Sequence, residues 1–202
     1  MTALDRIVLA SASPRRLELL SSLGLQVDVR PSGYDEPDDP LATPLELAIR
    51  HAAAKARDIQ DFHRDAVVVA ADTVVDVDGT ALNKPKDAHD AARMLRALSG
   101  REHQVHTAFA LALPGRDDMV EQESSTRVRF YALEDEEIAE CVATGEPMDK
   151  AGAYGIQGRA ASLVEGIAGD FYTVMGFPLA RFVRTLRQLG FTLPTAKKTS
   201  NR

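Results

Sequence analysis

The chain has 202 residues, of which 45% are hydrophobic and 27% charged, a composition typical of globular proteins and not of disordered or fibrous ones. Its 24 Lys and Arg residues are outnumbered by 30 Asp and Glu residues, so the formal net charge is -6. Because DNA and RNA binding requires many phosphates to be neutralised, this balance argues against a nucleic-acid partner. A local basic pocket can still bind a small anion on an acidic protein.

Cysteine content and hydropathy bear on the cellular location. Cys141 is the only cysteine, which excludes an intramolecular disulfide and a Cys-x-x-Cys metal site and fits a reducing compartment. The apolar runs are much shorter than the roughly 20 residues of a membrane helix, and no charged-then-apolar leader precedes the strand expected at Ile7. We therefore expect a cytoplasmic protein that does not contact a membrane.

The first part of the chain is predicted to alternate strands and helices. The β-branched run from Ile7 to Ala10 indicates a strand, and leucines at near-helical spacing follow it. Ser13 suits the N-cap of this helix, Pro14 its first turn and Gly24 the position after its end. A second strand over 25–29, a polar loop over 31–44 and a helix over 45–57 come next.

The middle and the end of the chain continue this alternation. Residues 66–71 form an apolar run that leads directly into Asp72 and Thr73, and Asp78-Gly79 marks a hairpin turn. Further expected elements are helices over 87–98, 134–144 and 178–189 and strands over 103–113, 125–132 and 162–167. A glycine-rich loop, DKAGAYGIQG, occupies 149–158, and the tail from Thr195 is expected to be disordered. The sequence thus predicts an α/β fold.

The segment SASPRR lies between the first strand and its helix. Arg15 and Arg16 are unfavourable in a first helical turn, where the backbone already carries partial positive charge. A phosphate would resolve this conflict, since the hydroxyls of Ser11 and Ser13, the backbone N–H groups and the guanidinium groups all bind anions. The alternative is a solvated arginine pair beside an ordinary helix cap.

Two carboxylates are candidates for a metal site or for water activation. Asp72 follows an apolar strand, and open α/β sheets bind ligands beyond the carboxyl ends of their strands. Glu36, in the acidic segment YDEPDD, offers a second oxygen ligand for an ion such as Mg²⁺. The alternatives are a turn cap shared with Thr73 and a solvated loop. Lys55 and Lys84 are uninformative alone and become candidates only together with these residues.

Other familiar chemistries lack support in the sequence. His103 and His106 are three apart on a predicted strand and so face opposite sides, and the remaining histidines, His51, His63 and His89, form no ligand spacing. Cys141 lies on an amphipathic helix, where a core role is favoured over a nucleophilic one. No G-x-x-x-x-G-K-[ST] loop or G-x-S-x-G elbow is present.

Five ordered blocks carry a family resemblance. LASASPRR at 9–16, AADTVV at 70–75, NKP at 83–85, SG at 99–100 and DKAGAYGIQG at 149–158 strongly resemble the Maf family of nucleotide pyrophosphatases. The order and spacing extend through GDFYTVMGFPL at 169–179, so the resemblance covers nearly the whole chain. AGAYGIQG resembles the dTTP/UTP pyrophosphatase branch, whereas the 7-methyl-GTP branch has a different sequence there.

The resemblance implies both an architecture and a reaction. It implies one α/β domain over 1–194, with an elongated mixed sheet flanked by helices and two lobes around a cleft, followed by a tail over 195–202. It also implies a homodimer and a divalent metal cation, Mg²⁺ or Mn²⁺, bound by Glu36 and Asp72. The expected reaction converts a nucleoside triphosphate and water into the monophosphate and diphosphate.

The resemblance also assigns residue roles. Asp72 matches the proton acceptor that activates water, and Arg15, Thr73 and Gln157 match the positions that set base specificity. Gln157 suits that role because its amide offers a donor and an acceptor to the edge of a pyrimidine. Four further residues match positions linked to phosphate or metal binding: Arg16, Glu36, Lys55 and Lys84.

Two segments depart from the family pattern. Asn83 stands where this branch commonly has a glutamate, which weakens a metal-binding role there, and FYTVM at 171–175 replaces a stretch with tyrosine and asparagine. These changes bear on substrate preference more than on the reaction. Two alternatives therefore stay open: hydrolysis of 7-methyl-GTP, and a non-enzymatic role in septum formation or cell division.

Overall fold

The computed structural model describes residues 1–194, and the predicted disordered tail over 195–202 lies outside the described residues. The strands are β1 (Thr2–Ala3), β2 (Arg6–Leu9), β3 (Gln26–Val29), β4 (Val68–Val77), β5 (Thr80–Leu82), β6 (Glu102–Ala112), β7 (Met119–Phe130), β8 (Val164–Ala168) and β9 (Phe191–Thr192). The helices are α1 (Pro14–Ser22), α2 (Pro44–Gln60), α3 (Ala88–Leu98), α4 (Asp135–Ala143), α5 (Phe171–Met175) and α6 (Leu179–Gln188). Short 3₁₀ turns occur at Glu146–Asp149, Ala151–Ala153 and Arg159–Leu163.

A seven-stranded mixed sheet forms the centre of the fold. Its strand order is β3-β2-β4-β6-β7-β8, with β5 paired to β4. β3, β2 and β4 run parallel, whereas the pairs from β4 through β6 and β7 to β8 are antiparallel. This arrangement confirms the predicted α/β fold with a mixed central sheet flanked by helices. β1 and β9 form a separate parallel pair that joins the two ends of the described chain.

The predicted helix starts are confirmed by their caps. Ser13 Oγ accepts a hydrogen bond from Arg16 N at 3.5 Å, and Pro14 occupies the first turn of α1. Thr43 and Glu46 form a reciprocal capping box at the start of α2, and the Asp87 side chain caps α3. Each cap satisfies backbone N–H groups that have no partner within the helix, so the local sequence determines where these helices begin.

Helix α2 lies close against the sheet because its contact face consists of small residues. Ala48, Ala52 and Ala56 are almost completely buried against strand residues such as Val68 and Ala70. Small side chains allow a short distance between the helix and the sheet, and a burial of this kind contributes about 25 cal/mol per Å² of apolar surface. Because of this close packing, the neighbouring polar residue Lys55 of α2 lies within reach of β4.

The remaining core residues form two further clusters. One includes Phe109, Phe177 and Phe182, which pack between the sheet and helices α1 and α6. The other gathers residues of α3, α4 and the glycine-rich loop around Phe130 and Tyr154. Cys141 is buried in the second cluster, in agreement with the predicted core role.

The prediction that Asp72 ends its strand is wrong. Asp72 lies inside β4, which continues to Val77 along β6 and then turns at Asp78-Gly79 into β5. However, β2 pairs with β4 only at Val68 and Val69. Asp72 therefore lies beyond the carboxyl end of the neighbouring strand β2, where the chain leaves the sheet toward α1.

Three other boundaries differ from the sequence-based expectation. The strand predicted over 162–167 begins only at Val164, after the 3₁₀ turn Arg159–Leu163. β7 begins at Met119, earlier than expected, because its long antiparallel pairing with β6 includes polar residues. The segment 171–175 forms the short helix α5, which Asp170 caps.

Among the helices within residues 1–194, none is long and apolar enough to cross a membrane.

His103 and His106 contact different parts of the fold, as their spacing predicts. His106 lies beside Ser125 and Asp76. His103 is almost fully buried, with Nε2 2.7 Å from the Tyr154 hydroxyl and its ring against Phe130. Burial, assisted by the charge of Arg101, lowers the pKa of His103 from 6.5 to about 4.

This lowered pKa predicts a loss of stability in weak acid. Below about pH 6.5 the unfolded chain takes up a proton at His103, whereas the folded chain does so only near pH 4. The stabilising contribution of the neutral ring is therefore complete above pH 6.5 and falls by about 3 kcal/mol as the pH decreases toward 4. Urea unfolding from pH 7 to pH 4.5 should show a shallower decline for His103→Gln than for the unmodified protein. Equal slopes would contradict the assignment to this residue.

Candidate active site

A single cavity of about 570 Å³ lies at the carboxyl end of β2, a volume within the range of small-molecule sites. The segment SASPRR, helix α2, strand β4 and the glycine-rich loop all contribute to its walls. All ten candidate residues line it: Ser11, Ser13, Arg15, Arg16, Glu36, Lys55, Asp72, Thr73, Lys84 and Gln157. The fold thus brings together segments that lie far apart in the sequence.

Lys55 joins the two candidate carboxylates. Its Nζ lies 2.7 Å from Asp72 Oδ1 and 2.6 Å from Glu36 Oε1. The side chains of Lys55 and Asp72 are 11% and 8% exposed, and the Glu36 side chain is 41% exposed. A buried ammonium group held by two carboxylates is a paired charge, so each group avoids the penalty of isolated burial.

The contact with Lys55 favours the ionised form of Glu36. Partial burial raises the pKa of the Glu36 carboxyl, but the hydrogen bond and charge of Lys55 lower it more, with smaller contributions from Lys84 and His51. The net effect is a pKa below its ordinary value. Glu36 is therefore fully ionised at neutral pH and available as an oxygen ligand or as a partner of Lys55.

The Arg16 side chain is held by three hydrogen bonds. Its Nη1 donates to Ser11 Oγ at 3.1 Å, its Nη2 to Thr73 Oγ1 at 3.1 Å, and its Nε to the carbonyl oxygen of Gly176 at 3.0 Å. Burial lowers the pKa of Arg16, opposed in part by the charge of Asp72, but a guanidinium group still remains protonated at neutral pH. The side chain supplies a fixed positive charge that links α1, β4 and the turn after α5.

Arg15 has a different environment from that of its neighbour. Its side chain is 28% exposed, and Nη1 lies 3.4 Å from Asp149 Oδ2 in the glycine-rich loop. Since this is a long and partly exposed ion pair, it holds the guanidinium group only weakly. Arg15 is therefore free to reorient toward a ligand in the cavity, whereas Arg16 is not.

The remaining candidates occupy the rim and the floor. Lys84 and Gln157 are exposed at the cavity rim. Thr73 lies on the floor, where Oγ1 contacts both Arg16 and Thr107 Oγ1, the latter at 2.9 Å. Thr73 therefore helps to hold the guanidinium group of Arg16 in place.

Asn83 connects three segments around the cavity. Its side-chain amide donates to Asp38 Oδ1 at 2.7 Å in the acidic segment, and its backbone carbonyl accepts from Gly152 N at 3.2 Å in the glycine-rich loop. The Asn-Lys-Pro segment thus fixes the positions of both neighbouring loops. Asn83 acts here through hydrogen bonds rather than as an anionic ligand.

Sequence reasoning missed several cavity residues. His51 lies one helical turn before Lys55, near the Tyr34 hydroxyl at 3.4 Å from Nδ1. Asp149 and Lys150 also line the cavity. The spacing of four residues between His51 and Lys55 places both on one helix face, and this signal could have identified the histidine.

The donor set is compatible with a divalent ion that also binds phosphate. Within residues 1–194 no cluster of three or more His, Cys, Asp or Glu side chains has metal-ligand geometry. Two carboxylates, Glu36 and Asp72, converge on Lys55 at the cavity wall. Mg²⁺ in nucleotide enzymes is commonly bound by one or two carboxylates together with substrate phosphates and water, so these residues fit such an ion.

The fold and the cavity define a class of protein: an α/β protein with a pocket that combines cationic side chains with a buried carboxylate. The family model described as Maf-like protein matches residues 6–189. The chain therefore belongs to the Maf family, as the sequence motifs predicted.

Curated relatives agree with this assignment. A dTTP/UTP pyrophosphatase of Symbiobacterium thermophilum is 48% identical over 192 residues, which cover 95% of this chain and 98% of the relative. Another of the same name, from Bacillus pumilus, is 43% identical over 94% of this chain and 99% of its own length. A HAM1 protein from Coxiella burnetii has a similar fold, with a TM-score of 0.51 at 16% identity over 93% of this chain and 100% of its own.

Proposed function

We propose that the protein is a nucleoside triphosphate pyrophosphatase that hydrolyses dTTP and UTP. The observation that carries the proposal is the position of Asp72, a buried carboxylate that faces the same cavity as Arg15 and Arg16. Family membership and curated relatives named dTTP/UTP pyrophosphatase support it. The net charge of -6 does not oppose it, because the positive charge is local.

The reaction needs a water molecule, a base and positive charge around the phosphates. Asp72 accepts a proton as the water oxygen attacks the α-phosphorus, and the bond between the α-phosphorus and the bridging oxygen breaks to release diphosphate. Arg16 and Lys55 provide fixed positive charge close to Asp72, where negative charge develops on the phosphoryl oxygens. Lys84, Arg15 and the hydroxyls of Ser11 and Ser13 are the proposed contacts for the outer phosphates.

We also propose a divalent cation, Mg²⁺ or Mn²⁺, with Glu36 and Asp72 as its protein ligands. When bound, such an ion supplies Lewis-acid stabilisation of charge on the phosphate oxygens. Lys55 now bridges these two carboxylates and would have to share them. The positive charge of Lys55 is then available to the triphosphate.

Base selection is assigned to the rim of the cavity. Gln157 is exposed there, and its amide can pair with the donor and acceptor of a uracil or thymine edge. Arg15 faces the glycine-rich loop that carries Gln157, whereas Thr73 contributes through Arg16. A base with the wrong edge would leave the polar groups unpaired, which is the basis of discrimination.

Hydrolysis of 7-methyl-GTP and a non-enzymatic role in cell division are the competing functions. The sequence AGAYGIQG and the similarity to relatives named dTTP/UTP pyrophosphatase favour the pyrimidine substrate. The buried Asp72 favours catalysis, since a binding module needs no water-activating carboxylate. Two lobes and a homodimer remain predictions of the family resemblance, and a cytoplasmic location remains a prediction from the cysteine content and the short apolar runs.

A nucleotide panel tests the proposed reaction. The purified protein with Mg²⁺ or Mn²⁺ should release diphosphate from dTTP and UTP faster than from dCTP, GTP or 7-methyl-GTP. Diphosphate should be measured separately from inorganic phosphate. Release of inorganic phosphate alone would contradict the bond assignment, and faster turnover of 7-methyl-GTP would select that alternative.

A further inference from the structure

Gln157 lies between Gly155 and Gly158, which both pack against charged side chains that precede them in the sequence. A methyl group added at Gly155 would lie 2.7 Å from Lys150 Cε, and one added at Gly158 would lie 2.6 Å from Glu146 Oε1. A side chain at either position would require the end of Lys150 or Glu146 to move, and Gly158 also has a φ of 79°, which favours glycine. The backbone on each side of Gln157 therefore lies directly against Lys150 or Glu146.

Glu146 and Lys150 are themselves held in place, and we call this pair the platform. Lys150 Nζ donates to the backbone carbonyl of Glu146 and to Asp149 Oδ1, both at 2.6 Å. Glu146 Oε2 accepts from the backbone N–H of Arg159 at 3.0 Å. The Lys150 side chain is only 12% exposed. Its ammonium group is thus committed to the loop and is not a free phosphate ligand.

We propose that the platform of Glu146 and Lys150 determines nucleotide selectivity by fixing the position of Gln157. The proposal rests on the proposed function, because it concerns the same cavity and the same reaction. Hydrogen bonds weaken steeply with distance and angle, so an amide selects a base only if its backbone is held in place. The glycines that make close contact possible would otherwise leave the loop flexible.

The platform also connects to the opposite wall of the cavity. Asp149 accepts from Lys150 at one oxygen and faces Arg15 across 3.4 Å at the other. The turn that positions Gln157 therefore also carries Asp149, which contacts Arg15, the other residue assigned to base recognition. Neither Glu146 nor Lys150 needs to touch the nucleotide, so both are positioning residues rather than catalytic ones.

The test measures kcat and KM for dTTP and dCTP in four variants. Glu146→Ala, Lys150→Ala and Gln157→Ala should each lower the ratio of the two kcat/KM values about tenfold, and the first two should change kcat for dTTP less than about threefold. Glu146→Gln retains an oxygen acceptor for Arg159 N and should restore the ratio. An equal loss for both nucleotides, or an unchanged ratio in the alanine variants, would overturn the proposal.

Glu140→Ala is the matched control. It removes the contact between Glu140 and the Arg159 side chain, two residues from Gln157 in sequence but outside the platform, and should leave the ratio unchanged. If the alanine variants do not fold, Lys150→Met keeps the buried stem against Gly155 and should lower the ratio about threefold. An unchanged ratio in that folded variant would also overturn the proposal.

The design separates this proposal from the proposed function. A wild-type protein that releases no diphosphate from any nucleotide rejects the proposed function itself. A wild-type protein that prefers dTTP, and loses this preference in Gln157→Ala but not in the platform variants, rejects only the role of Glu146 and Lys150. Loss of preference in both sets supports the proposal.

Discussion

Replacing Asp72 by asparagine is expected to reduce kcat for dTTP about 1000-fold while nucleotide binding is retained. Asparagine has the same shape but cannot accept a proton from water at neutral pH. Binding should be unchanged or tighter, because one negative charge facing the triphosphate is removed and Lys55 keeps its contact with Glu36. Steady-state diphosphate release and equilibrium titration with dTTP measure the two effects separately.

Asp76→Asn serves as the control for Asp72→Asn. Asp76 lies on the same strand and the same face, but it contacts His106 and the turn at Gly79 and does not line the cavity. Its replacement should leave kcat within about threefold. Turnover that survives Asp72→Asn within tenfold would reject Asp72 as the base. An Asp72→Asn protein that binds nucleotide, loses turnover and yet keeps any cell-division phenotype would separate catalysis from that role.

The second large effect is expected at Arg16. Replacing Arg16 by methionine should lower the free energy of unfolding by about 3 kcal/mol and abolish activity, because three partly buried acceptors lose a charged donor. These acceptors lie on Ser11, Thr73 and Gly176 and so belong to three parts of the fold. Urea unfolding and diphosphate release are the two measurements.

The adjacent arginine provides an internal comparison. Arg15→Met removes the same chemical group from a partly exposed site with one long contact to Asp149, so stability should change by less than about 0.5 kcal/mol. Its effect should instead fall on KM. Equal destabilisation by the two substitutions would contradict the distinction between an anchored Arg16 and a mobile Arg15.

Much of the fold follows from local sequence signals. Ser13-Pro14, Thr43-Pro44 and Asp87 set the helix starts, and the predicted Asp78-Gly79 turn forms with φ values of 53° and 81°. The candidate site residues could be identified from short motifs, because each of these motifs contributes residues to the lining of the same cavity. Their chemical roles remain predictions.

What escaped prediction depends on distant contacts. β4 continues through Asp72 because β6 pairs with it from Val68 to Asp76, and a local apolar run in the sequence does not indicate this distant pairing. The contact between Arg15 and Asp149 joins residues 134 positions apart. Helix α5 spans only Phe171–Met175, too short for a helical period to be recognised.

The asparagine at position 83 gives a departure from the family pattern a structural meaning. A glutamate there would set a second carboxylate against Asp38, and the two anions would repel each other where the amide now donates at 2.7 Å. The neutral side chain of Asn83 instead holds the segment that carries Glu36 by a hydrogen bond. In this chain, the position of a proposed metal ligand therefore depends on an uncharged residue.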